Sequence, residues 1–259
     1  MNIKDPSTQL LYTTVPLWVQ DKLQTRAGTA FIANAQIPSH PNLTLPLLIT
    51  AAHVVGNGDS VIAEFHLADG ENGLPETSIK VQLSRNLFTY DSTLDVAVML
   101  LGPVLNELLS QGKRVFYRGV EKSLVLTLDI WNGFAAIEDV ILIGYPSALY
   151  DVRHGLPVVR RGITATPVWN DFNGNPIFLI DAAVFPGSSG SPVFLFNQGS
   201  YPTENGIALG TRLFFLGILT ASMISNTTKE SLGLGSVVKS LALFDKLLDK
   251  IIAGGANIQ

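Results

Sequence analysis

Apolar residues recur along this chain in short runs closed by glycine, proline or small polar residues: "TRAGTAFIANAQ", "LPLLITAAHVVG", "SVIAEFHLA", "SIKVQLS", "LDVAVMLL", "EDVILIGYP", "PVVRRGITATPVW", "NPIFLIDAAVF", "SPVFLF" and "RLFFLGILTASM". Runs of this length and spacing predict an all-β protein, a sandwich or a barrel. Asn173-Gly174 falls between two of them. Both residues tolerate positive φ, so an antiparallel hairpin is expected there.

Two stretches break the strand pattern. "PVLNELLSQGK", residues 103–113, predicts a short helix that begins a less regular connector running to about Asp139. Near the end, Val237, Val238, Leu241, Phe244, Leu247, Leu248, Ile251 and Ile252 recur at helical spacing, with Ser236 as N-cap and Gly254-Gly255 as the stop. Lys239, Lys246 and Lys250 are balanced by Asp245 and Asp249, which favours a helix packed on the body over one lying on a membrane.

Composition narrows the function classes. Apolar residues make up 47% of the 259 and charged residues 15%, so a folded core is expected and disorder is not. A formal charge of -4, with no basic cluster beyond Arg160-Arg161, gives no footprint for a nucleic-acid partner. No run reaches the roughly 18 apolar residues of a membrane span. The first twenty residues lack the apolar core and small-residue cleavage site of a signal peptide. With no cysteine and with His40, His53, His66 and His154 scattered, neither a disulfide framework nor a metal motif is present. A cytoplasmic protein without metal or cofactor is the expectation, and the sequons at Asn42 and Asn226 carry no weight in it.

Three residues invite chemistry. His53 lies in the apolar run "LLITAAHVV", where a structural core histidine is the plainer alternative to a catalytic one. Asp95 lies in "LDVAVMLL", where a buried carboxylate needs hydrogen-bond donors, whereas Asp91 in "YDSTLD" reads as the solvent-facing acid. "GSSGS", 187–191, reads as a flexible turn by composition, yet Pro192 and "VFLF" enter a strand at once. Acyl transfer by serine needs a base to take its proton and an acid to orient that base. The chain supplies the set in the order His, Asp, Ser.

That ordered set resembles the trypsin-like, or chymotrypsin-fold, serine peptidases, through "TAAH" at 50–53, "LDVAV" at 94–98 and "GSSGSP" at 187–192. The Ser-Gly-Ser-Pro form is closer to bacterial members, such as the glutamyl endopeptidase group, than to animal trypsins. The resemblance implies two six-stranded antiparallel Greek-key barrels: residues 1–115 carrying His53 and Asp95, and 116–235 carrying the nucleophile, followed by the helix at 236–253. It implies Ser189 as nucleophile, His53 as base, Asp95 as the acid fixing its tautomer, and the backbone N–H groups of Gly187 and Ser189 as the oxyanion hole. It also implies that Thr220, in "LGILTAS", supports the acid, and that Ala221, Ser222 and Met223 bind a protein or peptide substrate as an added strand.

The sequence departs from the animal enzymes in two places. Ser188 stands where they carry Asp, and the Ile-Val-Gly-Gly sequence that inserts beside it is lacking, which leaves constitutive activity or control by an activating protein partner; control is the expectation, because a cytoplasmic peptidase that is always on would be hazardous. Six residues before Ser189 stands Ala183, where cleavage after Arg or Lys needs an Asp; Asp181 is two positions further back. No histidine marks a glutamate pocket in "GTRLFFLGILTASM". A small or apolar residue before the scissile bond is therefore expected. "GYPSALYDVRHGLPVVRRG", 144–162, has no assigned chemistry; Asp151, Arg153 and Arg161 read as a loop-fixing set, with a substrate rim as the functional alternative.

Other chemistry fits less well. Ser-x-x-Lys occurs twice, at Ser110 and Ser236, and Gly-x-Ser-x-Gly fails because glycine follows Ser189 directly. The alternative to an active peptidase is a silent module of the same fold that binds an extended peptide.

Overall fold

A computed structural model of the chain describes residues 4–21, 25–37, 40–58, 60–203, 206–225 and 227–244. The first half is a nine-stranded sheet. Seven strands form its path: β1 (Thr14–Gln20), β2 (Thr25–Ile37), β3 (His40–Ala51), β4 (Ser60–Leu67), β5 (Thr77–Leu83), β6 (Thr89–Asp91) and β7 (Val96–Leu100). They run β5-β4-β1-β2-β3-β7-β6. Two short strands return to this sheet, β8 (Val115–Phe116) beside β4 and β9 (Val120–Glu121) parallel to β2. The first structural unit therefore reaches Glu121, past the expected boundary at 115. The helix predicted at 103–113 is Gly102–Ser110, and it packs on β3 and β8 rather than linking the halves.

The second half closes into a six-strand barrel of β10 (Asp139–Gly144), β11 (Val158–Thr164), β12 (Ile177–Asp181), β13 (Pro192–Asn197), β16 (Arg212–Ile224) and β17 (Ser231–Lys239), with β14 (Ser200–Thr203) and β15 (Gly206–Leu209) as a separate hairpin. Its circuit is β10-β11-β12-β17-β16-β13. The path of the first sheet follows the same circuit, except that no ladder joins β5 to the β6/β7 edge among the described residues. This is the trypsin-like double-barrel arrangement. Asn173 (φ 53) and Gly174 (φ 75) both take the left-handed conformation between the antiparallel strands β11 and β12, as the Asn-Gly pair predicts.

The uninterrupted apolar runs are strands buried on both faces. Leu47 and Ile49 of β3, Val96 and Val98 of β7, and Phe31 of β2 face one cluster that they share with Phe194, Phe215 and Ile218 of the second half. Leu48, Ala97, Met99 and Ile32 point the other way, into the interior of the first sheet. Val193, Leu195, Leu216 and Leu219 fill the second barrel. The core thus has three layers, and the middle one glues the halves together.

The C-terminal expectation needs correcting. Residues 236–239 belong to β17, paired with β12 and β16, and helical backbone begins at residue 240. Ser236, Val237, Val238 and Lys239 are all buried, so no exposed position marks their period. Lys239 is not on a solvent face: its Nζ meets Asp171 Oδ1 at 2.7 Å. The rest of the proposed helix, from Asp245 on, lies outside the described residues. Among those described, no helix is long and apolar enough to cross a membrane.

Candidate active site

His53 sits on the short helix Ala52–Val55, at the end of β3. That helix has no side-chain cap of its own. Asp95 supplies one from the β6–β7 turn: its carbonyl accepts from Ala52 N at 2.9 Å and its Oδ1 from His53 N at 3.0 Å. Its other carboxylate oxygen, Oδ2, lies 2.7 Å from His53 Nδ1. A carboxylate only accepts, so Nδ1 carries a proton, and in the neutral ring Nε2, on the far side, is the acceptor.

The two acids exchange their expected environments. Asp91 is buried, at 7% exposure, whereas the Asp95 side chain is 39% exposed. Asp91 Oδ1 takes the N–H groups of Thr93 and Leu94, both at 3.0 Å, and so closes the turn. At the end of that turn Asp95 adopts φ 54, which swings its carboxylate outward to the histidine.

Ser189 lies on the loop between β12 and β13. The loop is held by hydrogen bonds from Ser188 N to Phe185 O (2.9 Å), Ser191 N to Ser188 O (3.0 Å) and Gly190 N to Leu219 O (2.8 Å). Gly187 and Gly190 take φ 88 and φ 91. At Gly190 a side chain is also excluded by space, since a Cβ would fall 1.8 Å from the Thr29 carbonyl oxygen. Ser188, at the position of the missing Asp, is buried and takes the Phe185 N–H on its hydroxyl at 3.4 Å. The loop is locked there without charge.

Ser147 N donates to Pro186 O at 2.5 Å. In a trans peptide the N–H points opposite to the carbonyl, so the Gly187 N–H faces away from Ser147. Among the described residues, neither the Gly187 N–H nor the Ser189 N–H donates to a protein acceptor. His53, Ser189 and Gly187 line one open cleft of about 510 Å³, together with Arg26, Val54 and Ser147. The Ser189 hydroxyl donates to Thr220 O at 3.4 Å rather than to His53.

Other predicted residues fall as follows. Thr220 is buried, and its hydroxyl makes no bond to Asp95 among the described residues; its carbonyl meets Ser189 instead. Ala221 and Ser222 are exposed on β16, where they pair with Ser236 and Gly235 of β17. The β13 ladder on the other side stops at Ile218, so the second edge of Ala221–Met223 meets no strand among the described residues. Ala183 is exposed beyond the end of β12, as is Asp181 within it. Asp151, Arg153 and Arg161 do not form one set: Asp151 caps its own turn and meets His154 Nδ1 at 2.7 Å, while Arg161 pairs with Asp139 at 2.8 Å.

The segment at 144–150 is the part of the site that its sequence does not disclose. Its contacts are made by backbone groups, Tyr145 N and Ser147 N, which carry no residue signature.

Residues 28–201 match the family described as the trypsin-like peptidase domain. No curated protein sequence matches the chain significantly. Among solved structures, an HtrA-type protease determined with a tripeptide is 19% identical, with a TM-score of 0.55, over 98% of this chain and 65% of the other. A serine endoprotease from Yersinia pestis is also 19% identical, with a TM-score of 0.53, over 95% of this chain and 65% of the other. The chain thus spans 65% of the length of each of these two proteins.

Proposed function

The chain belongs to the trypsin-like peptidase family, and from that premise we propose that it is a serine endopeptidase with Ser189 as nucleophile, His53 as base and Asp95 as the orienting acid. One observation carries the reading: the His53–Asp95 pair opens on the same cleft as Ser189 and two unengaged backbone amides.

In this reading an extended peptide adds to the free edge of β16 at Ala221, Ser222 and Met223. The Ser189 hydroxyl turns from the Thr220 carbonyl about χ1, a step between staggered rotamers, and gives its proton to His53 Nε2 as Oγ attacks the scissile carbonyl carbon. The Gly187 and Ser189 N–H groups receive the developing oxyanion. His53 then protonates the leaving amine as the C–N bond breaks, which leaves an acyl-enzyme. Water attacks it with His53 again as base, the acid product departs, and Ser189 recovers its proton. Ala183, with no acid on the preceding strand end except the more distant Asp181, supports a small or apolar residue before the cleaved bond.

The test is labelling of the full chain by a fluorophosphonate, with Ser189→Ala beside it. Labelling of the wild type alone is expected. No labelling under any condition would leave a silent peptide-binding module, and labelling that appears only with an added protein would support control by an activating partner.

A further inference from the structure

Thr29 lies on β2, in the half of the molecule opposite the nucleophile loop, and is fully buried. Its hydroxyl donates to the Gly187 carbonyl at 2.9 Å and accepts from Tyr145 N at 3.0 Å. Its backbone is engaged as well: Thr29 N donates to Ser189 O at 3.0 Å, and Thr29 O accepts from Thr50 Oγ1 at 2.6 Å. One residue therefore grips the loop at both oxyanion positions.

The two bonds of the hydroxyl act on the Gly187 amide from both sides. Holding the Gly187 carbonyl fixes the peptide that follows it. Holding Tyr145 N places the segment whose next amide but one, Ser147 N, fixes the Pro186 carbonyl and with it the direction of the Gly187 N–H. Gly187 has φ 88 and no side chain to resist rotation, so its peptides keep their orientation only through such outside contacts. We propose that Thr29 is a positioning residue, its hydroxyl orienting the Gly187 amide of the oxyanion hole across the boundary between the two halves. This role rests on the peptidase reading.

A hydroxyl is needed for it, because the group must donate and accept at once. Thr29→Val keeps the shape and leaves both the Gly187 carbonyl and the Tyr145 N–H buried without a partner. Loss of one oxyanion donor costs about 10²- to 10³-fold in kcat. A donor turned from its position rather than removed is expected to cost about 10- to 100-fold on the same scale.

The experiment measures kcat and KM on a peptide ester and the affinity of a peptide boronic acid, whose tetrahedral adduct uses the same hole, for the wild type, Thr29→Val and Thr29→Ser. The expected result is a fall in kcat and in boronate affinity for the Val variant, with KM nearly unchanged and both restored in the Ser variant. If Val does not fold, Thr29→Ala is read the same way, since it too removes the hydroxyl and leaves both partners unpaired. A folded Val or Ala variant with wild-type kcat, or a Ser variant that fails to restore it, would overturn the role while the peptidase reading stands. A wild type that neither labels nor hydrolyses under any condition would overturn both.

Discussion

At the residue scale, Asp95 does two jobs that a substitution can separate. Its backbone carbonyl and Oδ1 cap the helix that carries His53, and Oδ2 sets the tautomer of the ring. Asparagine can keep the cap, because its side-chain oxygen still accepts from His53 N. At the second position its amide nitrogen donates, which turns the proton onto Nε2 and, in the proposed mechanism, removes the base. Asp95→Asn should therefore fold like the wild type and lose kcat by about 10⁴-fold. Steady-state kinetics beside a thermal melt would check this, and a large fall in melting temperature with little loss of kcat would contradict it. The sequence made the three candidate residues visible because each interrupts or borders an apolar run: His53 within "LLITAAHVV", Asp95 near the start of "LDVAVMLL", and Ser189 just before "PVFLF". It hid which acid is buried, because the turn from Asp91 to Val96 depends on a left-handed residue at Asp95 that an apolar pattern does not encode. It hid Thr29 too, whose bond to Gly187 spans 158 positions.

At the scale of elements, the segment after β10 is pinned at both ends. Ser147 meets the loop that carries Ser189, while Gly155 packs on His66 of β4 so closely that a Cβ would sit 2.6 Å from its Cε1. His66 also meets the edge of Tyr12 at 5.2 Å and shares its pocket with Glu76, Arg153 and His154. Burial holds its pKa below the ordinary value of 6.5, and the Glu64 carboxylate opposes this only in part. A histidine with a lowered folded pKa binds fewer protons in the native than in the unfolded state. Its contribution is therefore complete above about 6.5 and is lost as pH falls through that value toward the folded one. His66→Gln should show a shallower decline of melting temperature between about pH 7 and pH 5 than the wild type; parallel declines would show that another group governs it. Such side-chain docking has no counterpart in the hydrophobic pattern. β17 shows the same limit from the other side, since four successive buried residues fit a helix as readily as a strand.

At the scale of the whole molecule, the cleft exists only while the halves stay together, because His53 and Asp95 belong to one and Ser189 to the other. What joins them is the middle core layer, with Phe215 at its centre. Its ring lies 5.2 Å from Phe31 of the first half, 5.6 Å from Phe194 of the second, and 6.3 Å from Phe244 in the final described turn. All but Phe244 are fully buried. Since this layer is shared, neither half can open without exposing apolar surface of the other, and denaturant should unfold the chain in one step. Far-UV circular dichroism and fluorophosphonate labelling of Ser189 should then give the same midpoint. Phe215→Ala removes a ring that touches both halves, and a buried Phe→Ala change costs about 3–5 kcal/mol. The expected result is a lower midpoint that stays common to both probes. If labelling were lost well before the circular dichroism changes, the halves would be separating first, and the middle layer would be a docking surface between two independently stable units rather than a shared core.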